Sequence, residues 1–103
     1  MKIEKNFELL KSIKTAGIIL RPSSPELKST YLKIKELFQN ADIEILLESN
    51  SANMISLKGF SLEELCHKVD FLISVGGDGT LLSVVRKSFK YDKAVLGINL
   101  GTL

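Results

Sequence analysis

One stretch constrains this chain more than any other. Phe71-Leu72-Ile73-Ser74-Val75 runs into Gly76-Gly77-Asp78-Gly79, and from Thr80 onward the residues take helical spacing. A short apolar run rich in branched side chains reads as a buried strand, and three glycines in four positions read as a tight turn. The competing reading is a hairpin, because Asp-Gly between two apolar runs is a common two-residue connection. Leu81-Leu82-Ser83-Val84-Val85 does not alternate apolar with polar, however, and suits one side of a helix that Phe89 continues. Strand, turn and helix in that order form the unit of a parallel sheet, whose neighbouring strands need a long crossover.

The rest of the chain follows the same rhythm. Ala16-Gly17-Ile18-Ile19-Leu20 is an apolar run closed by Arg21-Pro22. Ser24 is placed to cap a helix and Pro25 to occupy its first position, where no donor is needed. Leu27, Tyr31, Ile34, Phe38 and Ala41 then form one apolar stripe, with Asn40 as the stop. Glu48 to Gly59 is polar and small and reads mainly as a loop. Ser61 and Glu64 have capping-box spacing, and Phe60 with Leu65 that of a hydrophobic staple, for a short helix ending near Lys68. Arg86, Lys87 and Lys90 lie near the end of the helix after the glycines, where cations meet its negative pole. Met1 to Lys14 carries Ile3, Phe7 and Leu10 at helical spacing. The expected strands are Ile18 to Leu20, Ile43 to Leu47, Phe71 to Val75 and Ala94 to Ile98, with a further turn from Asn99. The fold class is therefore α/β, an open parallel sheet covered by helices, with all four apolar strands buried on both faces.

With 103 residues the chain has room for one such sheet and one core. The 14 basic and 12 acidic residues nearly cancel, to a net charge of +2, and the basic ones are scattered, which argues against nucleic acid as a partner. Cys66 is the single cysteine, so no intrachain disulfide is expected and a reducing compartment fits. No apolar run reaches the length of a membrane span, and the N-terminus lacks the pattern of a signal peptide. A cytoplasmic location without a membrane partner is the expectation.

Ligands of open α/β sheets bind outside the carboxyl ends of the strands. The Gly76–Gly79 turn lies at such an end, and the helix behind it offers free N–H groups to an anion. Gly76, Gly77 and Gly79 let the backbone turn sharply and come close to such a ligand, and a diphosphate is the natural guest. Asp78 would repel phosphates, so its presence makes sense if it meets a hydroxyl or a metal. Neither a Walker A pattern nor a Gly-x-Gly-x-x-Gly fingerprint is present. Arg21-Pro22-Ser23-Ser24 forms a second candidate phosphate-facing loop. His67, the only histidine, follows Cys66 without further metal ligands nearby in sequence. The residues alone lead to a nucleotide-binding α/β domain.

Gly76-Gly77-Asp78-Gly79-Thr80 resembles the GGDGT signature of NAD kinases, which diacylglycerol, sphingosine and 6-phosphofructokinases share with small variations. Leu96-Gly97-Ile98-Asn99-Leu100-Gly101-Thr102-Leu103 is similar to the stretch that follows in NAD kinases and lacks the proline of lipid kinases. The resemblance implies phosphoryl transfer from ATP or polyphosphate to the ribose 2′-hydroxyl of NAD. The alternatives are a lipid or sugar kinase, or a nucleotide-binding module without catalysis. It implies that Asp78 is the catalytic base and that Asp78, Gly79 and Leu82 touch NAD, although for Leu82 core packing is the better reading. Gly76, Gly77, Gly79 and Thr80 would serve phosphates, with a helix cap as the equal alternative for Thr80. Magnesium would arrive with the donor rather than in a protein cage, and the complete enzyme would be a homo-oligomer, a dimer or tetramer. The resemblance also implies an Asn-Glu motif and a β-rich domain after Leu103, so residues 1–103 are expected to be an N-terminal domain cut short at its C-terminal end.

Overall fold

The computed structural model describes residues 12–100. The stretch Met1 to Lys14, whose spacing leaves both a short helix and a frayed tail open, falls almost wholly outside them, as does Gly101 of the expected last turn. Four strands, β1 (Thr15–Leu20), β2 (Glu44–Leu47), β3 (Phe71–Gly76) and β4 (Val95–Asn99), form one parallel sheet in the order β2-β1-β3-β4. The helices are α1 (Lys28–Asn40), α2 (Ser49–Met54), α3 (Leu62–Lys68) and α4 (Asp78–Ser88). Single 3-10 turns precede α1 and follow α4, over Pro25–Leu27 and Phe89–Tyr91.

The chain moves one way from β1 to β2, then reverses across β1 to reach β3 and β4. Right-handed crossovers convert that reversal into helices on opposite faces. On one face Tyr31 and Ile34 of α1, Leu27 before it, and Ala52 and Ile55 at α2 pack on Ile18, Leu20, Ile45, Leu47, Ile73 and Val75. On the other, Leu65, Cys66 and Val69 of the α3 region and Val84 of α4 pack on Leu72, with Ile19 and Leu46 beside them. The alternation of even and odd positions in β1 between the two clusters follows from the two-residue period of a strand.

Four expectations need correction. Glu48 to Gly59 is not mainly a loop, because α2 forms inside it. The Glu48 carboxylate accepts from the N–H groups of Asn50 and Ser51 and so caps the helix, while Ala52 and Ile55 are buried. Ser24 does not cap a helix, because a 3-10 turn intervenes before α1; its hydroxyl accepts from Arg21 Nε at 2.8 Å and donates to the Pro22 carbonyl at 3.1 Å. The helix after the glycines starts at Asp78, two residues earlier than expected, with Gly77 as a cap that has no side chain. Finally, β4 is not buried on both faces: it is the sheet edge, and Leu96 remains 47% exposed. The capping box of α3 forms with both of its hydrogen bonds, and the hairpin alternative for residues 71–85 is excluded by a strand followed by a helix.

Candidate functional site

The connections from β1 and β3 leave in opposite directions, so the crevice of this sheet opens between the ends of these two neighbours. The Arg21 N–H donates to the Val75 carbonyl at 2.8 Å, which extends the β1–β3 ladder to the edge of the turn. The Leu100 N–H donates to the Gly76 carbonyl at 2.8 Å from the other side. Gly76 is thereby fixed between two neighbouring chain segments.

The glycines act differently from the expected sharp turn. No glycine among the described residues has a positive φ. Gly76 is required for space, since a Cβ there would lie 2.6 Å from Thr80 Oγ1 and 3.0 Å from Arg21 Cβ. Around Gly77 and Gly79 the opposite holds: a Cβ would meet no atom within 4 Å. The protein leaves bare backbone facing open space at both positions. The first bond of α4 runs from the Leu81 N–H to the Gly77 carbonyl. The N–H groups of the first turn therefore have no carbonyl within the helix, and the positive end of its dipole faces the same opening.

Asp78 and Thr80 lie on different sides of that first turn. Asp78 is exposed and pairs with no cation among the described residues. One helical turn on, Leu82 is 60% exposed and so lies outside the core of the described residues, contrary to the core packing that is its better reading from sequence; Val84 and Ser88 take the inward positions instead. Thr80 is third in the helix rather than its cap, and its hydroxyl sits over Gly76.

A cleft of about 700 Å³ opens on the Thr80 side. From α4 it is lined by Gly79, Thr80, Ser83, Val84 and Lys87, and from the start of α3 by Ser61 and Leu62. Ile19 and Leu20 at the end of β1 contribute to it, with Pro22 and Ser23 from the loop that follows. Gly76, Gly77, Asp78 and Leu82 do not line it. The wall at α2 is braced by a buried network. Glu48 Oε1 accepts from the Ser51 N–H at 3.0 Å and the Ser51 hydroxyl at 2.8 Å, and Oε2 accepts from the Asn50 N–H at 2.7 Å. The Ser51 oxygen in turn accepts from the Leu20 N–H at 2.9 Å. Sequence reasoning missed Glu48, Ser51, Ser83 and Lys87. The last two were within reach, since they follow Thr80 by three and seven residues and so share its helix face.

Arg21 stands beside the turn, its Nε bonded to Ser24 and its guanidinium 3.4 Å from the Glu26 carboxylate in an exposed ion pair. Cys66 is buried in the second cluster, which pushes its thiol above the usual range, with Lys93 acting weakly the other way. His67 packs edge-on against Tyr91. Among the described residues no three His, Cys, Asp or Glu side chains gather where they could hold a metal ion, and no helix is long and apolar enough to cross a membrane.

The family model described as ATP-NAD kinase N-terminal domain matches residues 16–103. Over 93 residues the chain is 55% identical to a protein named NAD kinase from Sulfurimonas denitrificans, covering 90% of this chain and 33% of that one. A Wolinella succinogenes NAD kinase is 50% identical over 94 residues, 91% of this chain and 32% of the relative. One from Helicobacter hepaticus is 53% identical over 91 residues, 88% and 30% respectively. The chain thus spans about a third of the length of these curated relatives.

Proposed function

This chain belongs to the ATP-NAD kinase family, and from that premise we propose that the complete protein transfers a phosphoryl group from ATP or polyphosphate to the adenosine-ribose 2′-hydroxyl of NAD, giving NADP. The observation that carries the reading is the first turn of α4. There an exposed, unpaired carboxylate stands next to bare glycine backbone and unsatisfied N–H groups. Charge spread over the transferring phosphoryl group is stabilised by donors fixed in advance, and the N–H groups beside Gly77 and Gly79 are such donors.

Asp78 orients the 2′-hydroxyl and accepts its proton. A carboxylate is a weak base beside an alkoxide, but in a loose transition state the nucleophile loses its proton late. The bond from phosphorus to the new 2′-oxygen forms as the bond to the donor's leaving oxygen breaks, and Asp78 then passes the proton to solvent. Gly79 allows the dinucleotide close approach, and Leu82 offers its exposed side chain to the same ligand. Gly76 and Gly77 keep the turn open to phosphates, and Thr80 donates to a phosphate oxygen. Magnesium, brought by the donor's phosphates, neutralises part of their charge. The complete enzyme is cytoplasmic and a homo-oligomer, a dimer or tetramer. The test is an assay of the complete protein with ATP and magnesium against NAD, a diacylglycerol and fructose 6-phosphate. NADP is the expected product, and phosphorylation of either other acceptor without NADP would overturn the reading.

A further inference from the structure

A buried carboxylate beside the carboxyl ends of β1 and β2 is costly unless its bonds are well used. Glu48 and Ser51 are both buried, and capping α2 accounts for only part of what they do. The cap is complete once Glu48 accepts the N–H groups of Asn50 and Ser51. The Ser51 hydroxyl has a separate task. An ionised carboxylate only accepts, so the 2.8 Å bond to Glu48 Oε1 takes the hydroxyl proton. The Ser51 oxygen is left to accept the Leu20 N–H at 2.9 Å.

That bond fills a gap in the sheet. The pairing of β1 with β2 ends at Ile18 opposite Leu47. The Glu48 N–H donates to the Ile18 carbonyl, after which the chain enters α2, and Ser51 stands in for the strand that has ended. On the other side Leu20 is paired with Val75, and the Arg21 N–H bonds the Val75 carbonyl. Arg21 Cβ then crowds Gly76, 3.0 Å from where a Cβ of its own would lie. One line of contacts thus runs from Glu48 through Ser51, Leu20 and Arg21 to the residue that opens the glycine turn.

We propose that Ser51 is a positioning residue for phosphoryl transfer: its hydroxyl, aimed by Glu48, pins the carboxyl end of β1 and so fixes the Gly76–Gly79 turn that presents Asp78. This rests on the kinase reading above, in which Asp78 must be held in line with the transferring group. Ser51 acts through the backbone of β1 and not on the substrate.

The test uses Ser51→Ala in the complete protein, which keeps the Glu48 cap on α2 and removes only the acceptor for Leu20. Asp70→Asn, which loosens the ties to Lys14 and Thr15 at the opposite end of the sheet, is the control for lost stability alone. Both are assayed with ATP and NAD at a temperature where circular dichroism shows them fully folded. Ser51→Ala should lose about tenfold or more in kcat, because small misplacements carry to the chemistry, with both KM values within about threefold. Asp70→Asn should keep the parental kcat. Ser51→Cys, similar in size but with a weak acceptor, should show the same loss and serves if the alanine variant fails to fold. Hydrogen exchange reads the relay without activity: the Arg21 amide should exchange about tenfold or more faster in Ser51→Ala. Parental kcat in a folded Ser51 variant, or an equal loss of kcat in Asp70→Asn, overturns the proposal. A parent that forms no NADP refutes the kinase reading instead, and unchanged exchange at Arg21 refutes the relay by itself.

Discussion

Asp78 and Gly79 are adjacent, yet each calls for a different kind of test. Asp78→Asn keeps the shape of an exposed side chain and removes its capacity to accept a proton. In the complete protein the turnover number should fall about 10²- to 10⁴-fold with the melting temperature unchanged; near-parental turnover would remove Asp78 from the chemistry. Gly79 lies in open space inside a helix. Gly79→Ala should therefore stabilise the fold, by about 0.4–1 kcal/mol, while lowering activity because, on the proposed reading, the methyl group enters the space that the dinucleotide needs. Gly76→Ala should do the opposite to the fold. The new methyl would collide with Thr80 and the Arg21 stem, and overpacking costs about 1–3 kcal/mol. Thermal melts of the two variants, run side by side, check both signs. What the residue pattern conveyed here was the presence of special backbone. It could not distinguish a glycine squeezed by its neighbours from one left bare, because that depends on where Arg21 and Thr80 arrive.

At the level of elements, legibility followed the kind of signal each helix start carries. The Ser61–Glu64 capping box is local and was readable. The start of α2 relies on a glutamate accepting two backbone N–H groups, outside the usual set of cap residues, so a polar stretch concealed a helix. Glu48→Ala should cost about 1–3 kcal/mol, since it leaves those N–H groups and the Ser51 hydroxyl without their acceptor; chemical denaturation measures this. The inner side of α4 was unreadable for another reason. Its spacing permits several faces, and only the sheet beneath decides that Val84 and Ser88 turn inward while Leu82 and Phe89 turn out. At the opposite end of the sheet, Asp70 ties two strands together. Its carboxylate accepts from the Lys14 N–H at 2.7 Å and the Thr15 N–H at 3.0 Å, and these bonds, Lys14 first, hold it below its ordinary pKa. A carboxyl lowered in the folded state stabilises at neutral pH and loses that contribution as pH falls from about 4 through its depressed value. Asp70→Asn should be less stable than the parent near pH 7, and the gap should shrink on acidification in melts taken between pH 7 and 3.

Across the molecule as a whole, the parallel sheet covered by helices agrees with the alternation of apolar runs and helices in the sequence, whereas the strand order β2-β1-β3-β4, and with it the opening between β1 and β3, emerges only in the fold. The exposed side did not announce itself. Leu82 and Val85 of α4 and Phe89 just after it leave an apolar strip, with Leu96 also uncovered on β4. The 103-residue chain expressed alone should self-associate through such surface, and Phe89→Ser should weaken that association in sedimentation runs. It should form no NADP, because alignment of nucleophile and phosphate is worth about 7–11 kcal/mol of a barrier and Asp78 faces open surface with no opposing wall among the described residues.

The pairing of β1 with β3 also sets a clock. Leu20 lies opposite Val75, and the residues between them must be made before the two can meet. At about 5–20 residues per second on the ribosome, roughly 3–11 seconds pass between their synthesis. During that wait β1 can recruit β2 on one edge, but its other edge, with the N–H of Arg21 awaiting the Val75 carbonyl, stays open. Among the described strands β1 waits longest for a partner, so the interval in which a nascent chain can pair wrongly is written into the strand order itself.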